Sequence, residues 1–435
     1  MTGGTDDSTA KDGDGAGVGA RPDAPQRVFQ RRVLYVPGYD PFPPRRYREL
    51  YRRESAQQAA VSGYALQVTG HPGCGDNGWT VTARIPEPDL APQHPEGMAR
   101  CAVTVLVWSD IVRVSMRHGI LATYGQLFRT AWVYLGSGAL FRLMRLRKGP
   151  ILAALYPVAV LLLQAACAVA LGALVAQLLR PGLGAFLAVL SAAGVAWGVL
   201  AGFRRLDHRI YAHYLMHDYA FAAGDRGAYP APLEGFITRA ARRIVGALAE
   251  PVDEVLVIGH SSGAHLAVSA VAEALRIRGQ AGGPALALLT LGQSIPMLSF
   301  LPRAERLRAD LHDLAADDRL FWLDVSAPGD GCSFALCDPV AVSGVAPAVK
   351  RGPLVVSAAF RHTLSPTRWQ ALRRRYLRLH FQYLCAFDRP GDYDYFRITA
   401  GPVTLARRYD GRRPSPRRIE TPQGRYRSRT VPVTR

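Results

Sequence analysis

Val255-Leu256-Val257-Ile258-Gly259-His260-Ser261-Ser262-Gly263-Ala264-His265-Leu266-Ala267-Val268 is the stretch on which the fold turns. Its first four residues are an apolar run that suits a buried strand. From Ala264 through Leu275 the pattern reads as a helix. Between them lies G-x-S-x-G, from Gly259 to Gly263. In a strand–turn–helix context, small flanking residues permit a strained turn that pushes the serine hydroxyl out above a sheet. Ser261 is therefore the candidate nucleophile, and Gly259 and Gly263 are the residues of its elbow.

Further strand candidates flank this stretch. Arg32-Val33-Leu34-Tyr35-Val36 runs into Pro37-Gly38-Tyr39-Asp40. Residues 47–60 have helical spacing. Residues 64–68 and 79–83 read as a hairpin across a Gly/Pro/Asn-rich turn. Residues 102–108, 286–291, 320–325 and 353–358 are further strands, with helical stretches between them. Alternation of this kind predicts an α/β fold, a doubly wound and mostly parallel sheet covered on both faces.

One segment interrupts the alternation. Ile151 to Leu179 and Leu183 to Phe203 contain no charged residue, and Arg180-Pro181-Gly182 links them. Each run is long enough to cross a hydrocarbon core of about 30 Å. Arg142, Arg145, Arg147 and Lys148 precede the pair, and Arg204, Arg205 and Arg209 follow it. The positive-inside rule then predicts a transmembrane hairpin over 151–203 with both outer ends in the cytoplasm. Residues 111–141 are apolar and aromatic with interspersed Arg. They suit either an amphipathic helix at a membrane interface or a lid over the catalytic site. The expected plan is a disordered tail over 1–27, a first part of the catalytic domain over 28–112 and a lid-like segment over 113–150. The hairpin follows, then a second part of the domain over 204–402 and a basic flexible tail over 403–435.

Bulk properties restrict the function. Lys and Arg number 53 against 34 Asp and Glu, a net charge of +19. Much of this excess lies beside the apolar segments and in the last thirty or so residues, which favours anionic lipid head groups over nucleic acid. No zinc finger or aromatic-basic RNA signature is present. The six cysteines, Cys74, Cys101, Cys167, Cys332, Cys337 and Cys385, form no C-x-x-C pair, so reduced thiols are expected. Residues 1–26 lack the apolar core of a secretory signal.

A serine nucleophile needs a base, and the base an orienting carboxylate. After this type of elbow the chain order is Ser, then acid, then His. Asp330, in a Gly-Asp-Gly loop beyond the strand 320–325, is the candidate acid, with Asp324 and Asp338 as rivals. His380 is the candidate base and His362 the alternative. The oxyanion donors are expected to be the N–H groups of Ser262 and Tyr39. His213 and His217 lie four apart on a helix but lack a third ligand, so no metal is expected. His265 reads as a packing residue. No Rossmann or Walker A fingerprint appears, so no cofactor is expected.

On Gly259-His260-Ser261-Ser262-Gly263, the Val36-Pro37-Gly38 loop, Asp330 and a late His, the chain resembles the α/β-hydrolase superfamily of lipases, esterases and thioesterases. It is similar also to uncharacterised bacterial hydrolases with Pro37-Gly38-Tyr39-Asp40-Pro41 and His380-Phe381-Gln382-Tyr383-Leu384. The resemblance covers about residues 31–382 without the hairpin, and its second motif favours His380. It implies a serine hydrolase of an ester or thioester but brings no known substrate. The apolar hairpin beside the site points to a lipid or acyl substrate, and the flanking cations to a bacterial cytoplasmic membrane with the catalytic domain inside. It departs in one respect, since the apolar insertion precedes the nucleophile. Acyl transfer would use the same residues. A catalytically silent scaffold or binding protein is the alternative from another class.

Overall fold

The computed structural model describes residues 28–70, 77–87, 89–94, 96–117 and 119–430. The expected tail over 1–27, the turn 71–76 and Cys74 lie outside them. Eight strands form one sheet: β1 (Phe29–Val36), β2 (Ala65–Gly70), β3 (Gly78–Arg84), β4 (Met98–Val105), β5 (Glu254–His260), β6 (Ala285–Leu291), β7 (Leu320–Ser326) and β8 (Leu354–Ser357). Their spatial order is β2-β3-β4-β1-β5-β6-β7-β8. The β2–β3 and β3–β4 pairs are antiparallel, and every other pair is parallel. The two stretches expected to share the domain meet at the centre, where Tyr35 of β1 lies opposite Ile258 of β5.

Side chains alternate between two cores, as the two-residue period of a strand requires. On β5, Val255 and Val257 face one core and Leu256 and Ile258 the other. The first core is closed by α8 (Ala231–Leu248) and α9 (Gly263–Arg278), the second by α1 (Arg45–Ser62) and aromatic residues from 379–409. Every residue of β5 is buried, which explains its uninterrupted apolar run.

Between β4 and α8 lies the insertion: α2 (Ser109–Ser115), α3 (Ile120–Gly136), α4 (Ala139–Leu146), α5 (Lys148–Arg205), α6 (Asp207–Ile210) and α7 (Ala212–Ala223). α5 is a hairpin. A straight helix would hold residues 172 and 192 about 30 Å apart, yet a Cβ on Gly172 would lie 2.9 Å from the Ala192 carbonyl oxygen. The break falls at Gly184, with φ 71° and ψ 168°, two residues beyond the expected Arg180-Pro181-Gly182 link. Glycine adopts that conformation without a Cβ penalty. The segment is long and apolar enough to cross a membrane, and only 22% of its most apolar stretch is buried.

The expected flexible C-terminal tail is instead packed onto the domain as far as it is described. Val403, Leu405 and Tyr409 are buried. The buried Arg31 guanidinium donates to the Gly401 and Val403 carbonyls while pairing with Glu254, and Glu254 accepts the Leu405 N–H. Further on, Ile419 N–H donates to Leu336 O at 2.7 Å and Gly424 N–H to Val342 O at 2.9 Å. Fully buried Arg308 donates to Ser299 O, Leu301 O, Pro302 O and Ser428 O. A composition rich in Arg and Pro misleads here because the partners that tie the tail to the domain, such as Leu336, Val342 and Arg308, are remote in sequence.

Candidate active site

β5 ends at His260, and α9 begins at Gly263. Ser261 holds the turn between them at φ 58°, a conformation rare for a residue with a Cβ. The neighbours leave no room for larger residues. A Cβ on Gly263 would meet the Pro37 and Val36 carbonyl oxygens at 2.2 and 2.5 Å. One on Gly259 would meet Ala264 Cα at 2.6 Å, and one on Gly38 would meet Ser261 Cβ at 3.1 Å. The elbow and the loop after β1 are thus built against each other.

Asp330 and His380, fifty residues apart in the chain, meet beside this elbow. His380 Nδ1 donates to Asp330 Oδ2 at 2.7 Å. Tyr383 O–H donates to the same oxygen at 3.0 Å, and Cys332 N–H donates to Oδ1 at 2.9 Å. Burial alone would raise the Asp330 carboxyl, but the His380 charge and these hydrogen bonds hold it below the usual range. With Nδ1 as donor, His380 Nε2 carries the free lone pair. It is buried and has no hydrogen-bond partner among the described residues.

His260, the second residue of G-x-S-x-G, ties elbow to base. Its Nε2 donates to the His380 carbonyl at 3.0 Å, and its ring lies 4.9 Å from that of His380. Burial, reinforced by the His380 charge, pushes it down to about 3, so it stays neutral. A Cβ on Gly292 would lie 3.2 Å from His380 Cε1, and Leu291 O accepts the Ser261 N–H at 2.9 Å. Ser261 and His380 therefore lie against the same Leu291-Gly292 segment, and no hydrogen bond joins them. Catalytic hydrogen bonds are often long before substrate binds.

The expected oxyanion donors differ in state. Ser262 N–H meets no acceptor among the described residues. Tyr39 N–H, however, already donates to Ser262 Oγ at 2.8 Å. The elbow places a hydroxyl next to the nucleophile, and that hydroxyl occupies the donor. Tyr39 N–H is free for another acceptor only after Ser262 rotates.

The other candidates fall outside the constellation. His362 is exposed on a short helix over 360–363. Asp324 is buried inside β7, where it accepts from Thr290 Oγ1 at 2.6 Å. Asp338 caps a helix and pairs with Lys350. His265 is buried, stacks on Tyr229 and is pushed down by burial to about 3. His217 Nδ1 pairs with Gln126 Oε1 at 2.8 Å.

Two groups at the site escaped sequence reasoning. Cys332 brings its sulfur within 4.8 Å of ligand atoms of Asp330 and His380. Such a set has the chemistry of a metal ligand sphere. Here the Asp–His pair is directly hydrogen-bonded, and burial pushes the adjoining thiol well up. Asp218, on α7, lies within electrostatic reach of His380 and of Tyr39. Burial pushes its carboxyl up to about 7, with the His380 charge pulling the other way. One turn earlier on that helix, Tyr214 O–H donates to the Tyr39 carbonyl. The only signal in the sequence was a lone carboxylate among Tyr, His and Phe.

No family model, curated protein or solved structure matches this chain.

Proposed function

We propose that the chain is a serine hydrolase of the α/β-hydrolase superfamily that cleaves an ester or thioester of an acyl or lipid substrate. The observation that carries this reading is the strained Ser261 elbow beside a buried His380–Asp330 pair whose outer nitrogen is free. Ser261 Oγ attacks the acyl carbon, and its proton passes to His380 Nε2. Asp330 accepts the Nδ1–H and stabilises the imidazolium. Ser262 N–H, joined by Tyr39 N–H once the Ser262 hydroxyl turns away, stabilises the oxyanion. His380 then protonates the leaving oxygen or sulfur as its bond to the acyl carbon breaks. Water, deprotonated by the same nitrogen, releases the acid and regenerates Ser261. An acceptor alcohol or amine in place of that water would make the enzyme an acyltransferase.

We read α5 as a transmembrane hairpin in a cytoplasmic membrane, with the catalytic domain on the cytoplasmic side. Its exposed apolar surface and the cations outside both ends support this. One observation favours a catalytically silent binding protein on the same fold, namely the occupied Tyr39 N–H. The two readings part on one experiment, hydrolysis of acyl esters of graded chain length by detergent-solubilised protein. Turnover that is lost in Ser261→Ala supports the hydrolase. Turnover equal in both proteins, or absent from both, overturns it.

A further inference from the structure

We propose that the outer face of α3 is a second membrane-seating surface, lying in the interfacial layer of an anionic bilayer where the α5 hairpin enters it. The proposal rests on the transmembrane reading of α5.

α3 has two faces. Thr123, Leu127, Thr130, Val133 and Tyr134 are buried against the protein. On the opposite side Leu121, Phe128, Trp132 and Leu135 are exposed by 71, 65, 74 and 49%. Their spacings of seven, four and three residues put them on one stripe of the helix. Arg129 is the only charged residue of α3. A bare apolar stripe that carries a tryptophan is costly in water and suits the head-group and acyl boundary of a bilayer.

The hairpin fixes the height of that boundary. Tyr124 O–H donates to Leu161 O at 3.1 Å, and Leu127 packs with Leu161, Ala212 and Met216. From Leu161 to Leu183, just before the break, is 22 residues, or about 33 Å of helix. The return from Gly184 to Arg204 is 20 residues, about 30 Å. Both match a hydrocarbon core of about 30 Å. The catalytic body therefore releases the hairpin at the level of the bilayer surface, and α3 holds it at that level.

Charge selects the lipid. Arg113, Arg117, Arg129, Arg205 and Arg209 are exposed on α2, α3, α6 and the loop and hairpin end beside them. None forms an ion pair among the described residues. Cations of this kind draw a surface toward anionic head groups. They would repel a second copy of the same face, so lipid is the favoured occupant. The inner side of this layer touches the site: Tyr134 O–H donates to Met297 O at 3.0 Å, and Tyr39 O–H and Ser115 Oγ are 2.6 Å apart.

The test uses the full chain reconstituted into vesicles of phosphatidylcholine, with or without phosphatidylglycerol, brominated near the head group or deep in the acyl chain. Trp132→Phe and Trp197→Phe leave one exposed reporter each, Trp197 on the hairpin and Trp132 on α3, with the double variant as background. Loss of Trp132 emission with shallow bromine, deepened by phosphatidylglycerol, is the expected result. Phe128→Glu with Leu135→Glu, both at exposed positions, should abolish that loss and leave Trp197 quenched. Quenching of Trp197 without quenching of Trp132 overturns the seating surface and leaves the hairpin reading intact. Quenching of neither overturns the hairpin reading, and the seating surface with it. Concentration-dependent self-association that shields Trp132 also overturns the proposal.

Discussion

Gly263→Ala probes the contact between the elbow and the loop after β1 with one methyl group. The new Cβ would stand 2.2 Å from Pro37 O and 2.5 Å from Val36 O. Both atoms are backbone, so no side chain can swing aside, and the loop must retreat by about 1 Å. Overpacking in a well-filled site costs roughly 1–3 kcal/mol and more when backbone must move. Helix propensity at the start of α9 returns at most about 1 kcal/mol. The net expectation is a loss of about 2 kcal/mol in urea unfolding. A shift of about 1 Å in positioning groups also slows chemistry by about 100-fold, readable as the rate of fluorophosphonate labelling. Gly246→Ala is the control: nothing lies within 4 Å of its new Cβ, and it sits inside α8. It should gain about 0.5–1 kcal/mol and label at the wild-type rate. A Gly263→Ala protein as stable and as reactive as wild type would refute the proposed coupling of loop and elbow.

Three further expectations concern the relay, a buried acid and the tail. Asp330→Asn removes the charge that holds the His380 tautomer, and acyl-ester turnover should fall by about 10⁴-fold; a change of less than tenfold would remove Asp330 from the relay. Asp324 is pushed by burial up to about 8, so the folded state holds a proton that the unfolded state has lost above about pH 4. Its stabilising contribution is full below that value and fades as pH rises through about 8, by at most about 1.4 kcal/mol per pH unit. Urea midpoints should therefore decline less between pH 5 and 8 in Asp324→Asn than in wild type, and equal slopes would contradict the assignment. Deleting residues 411–435 strips Leu336, Val342 and Arg308 of backbone partners, so stability should drop by at least about 2 kcal/mol. A truncated chain with the wild-type urea midpoint would show that the tail contributes nothing.

The sheet was readable because its central strands are buried on both faces, which leaves runs such as Val255 to Ile258 unbroken by polar residues. Ser261 was readable because its chemistry is local, a strand, five residues and a helix. Asp330 and His380 emerged as candidates from chain order, but their meeting depends on β7 and on a helix fifty residues later. Sequence could not separate His380 from His362 by spacing, and exposure separates them at once. What remained hidden was non-local. Asp218 reaches the site because α7 folds over the loop after β1. Ser262 occupies Tyr39 N–H because two segments more than two hundred residues apart touch. The tail read as loose because its hydrogen-bond partners, Leu336, Val342 and Arg308, cannot be inferred from its own composition.

Labelling by a fluorophosphonate, followed by mapping of the modified residue, tests the central claim most directly. Covalent modification is expected at Ser261 in the wild-type chain, absent from Ser261→Ala and strongly slowed in His380→Ala. A folded wild-type protein that stays unlabelled, or labelling that persists unchanged in either variant, would contradict it.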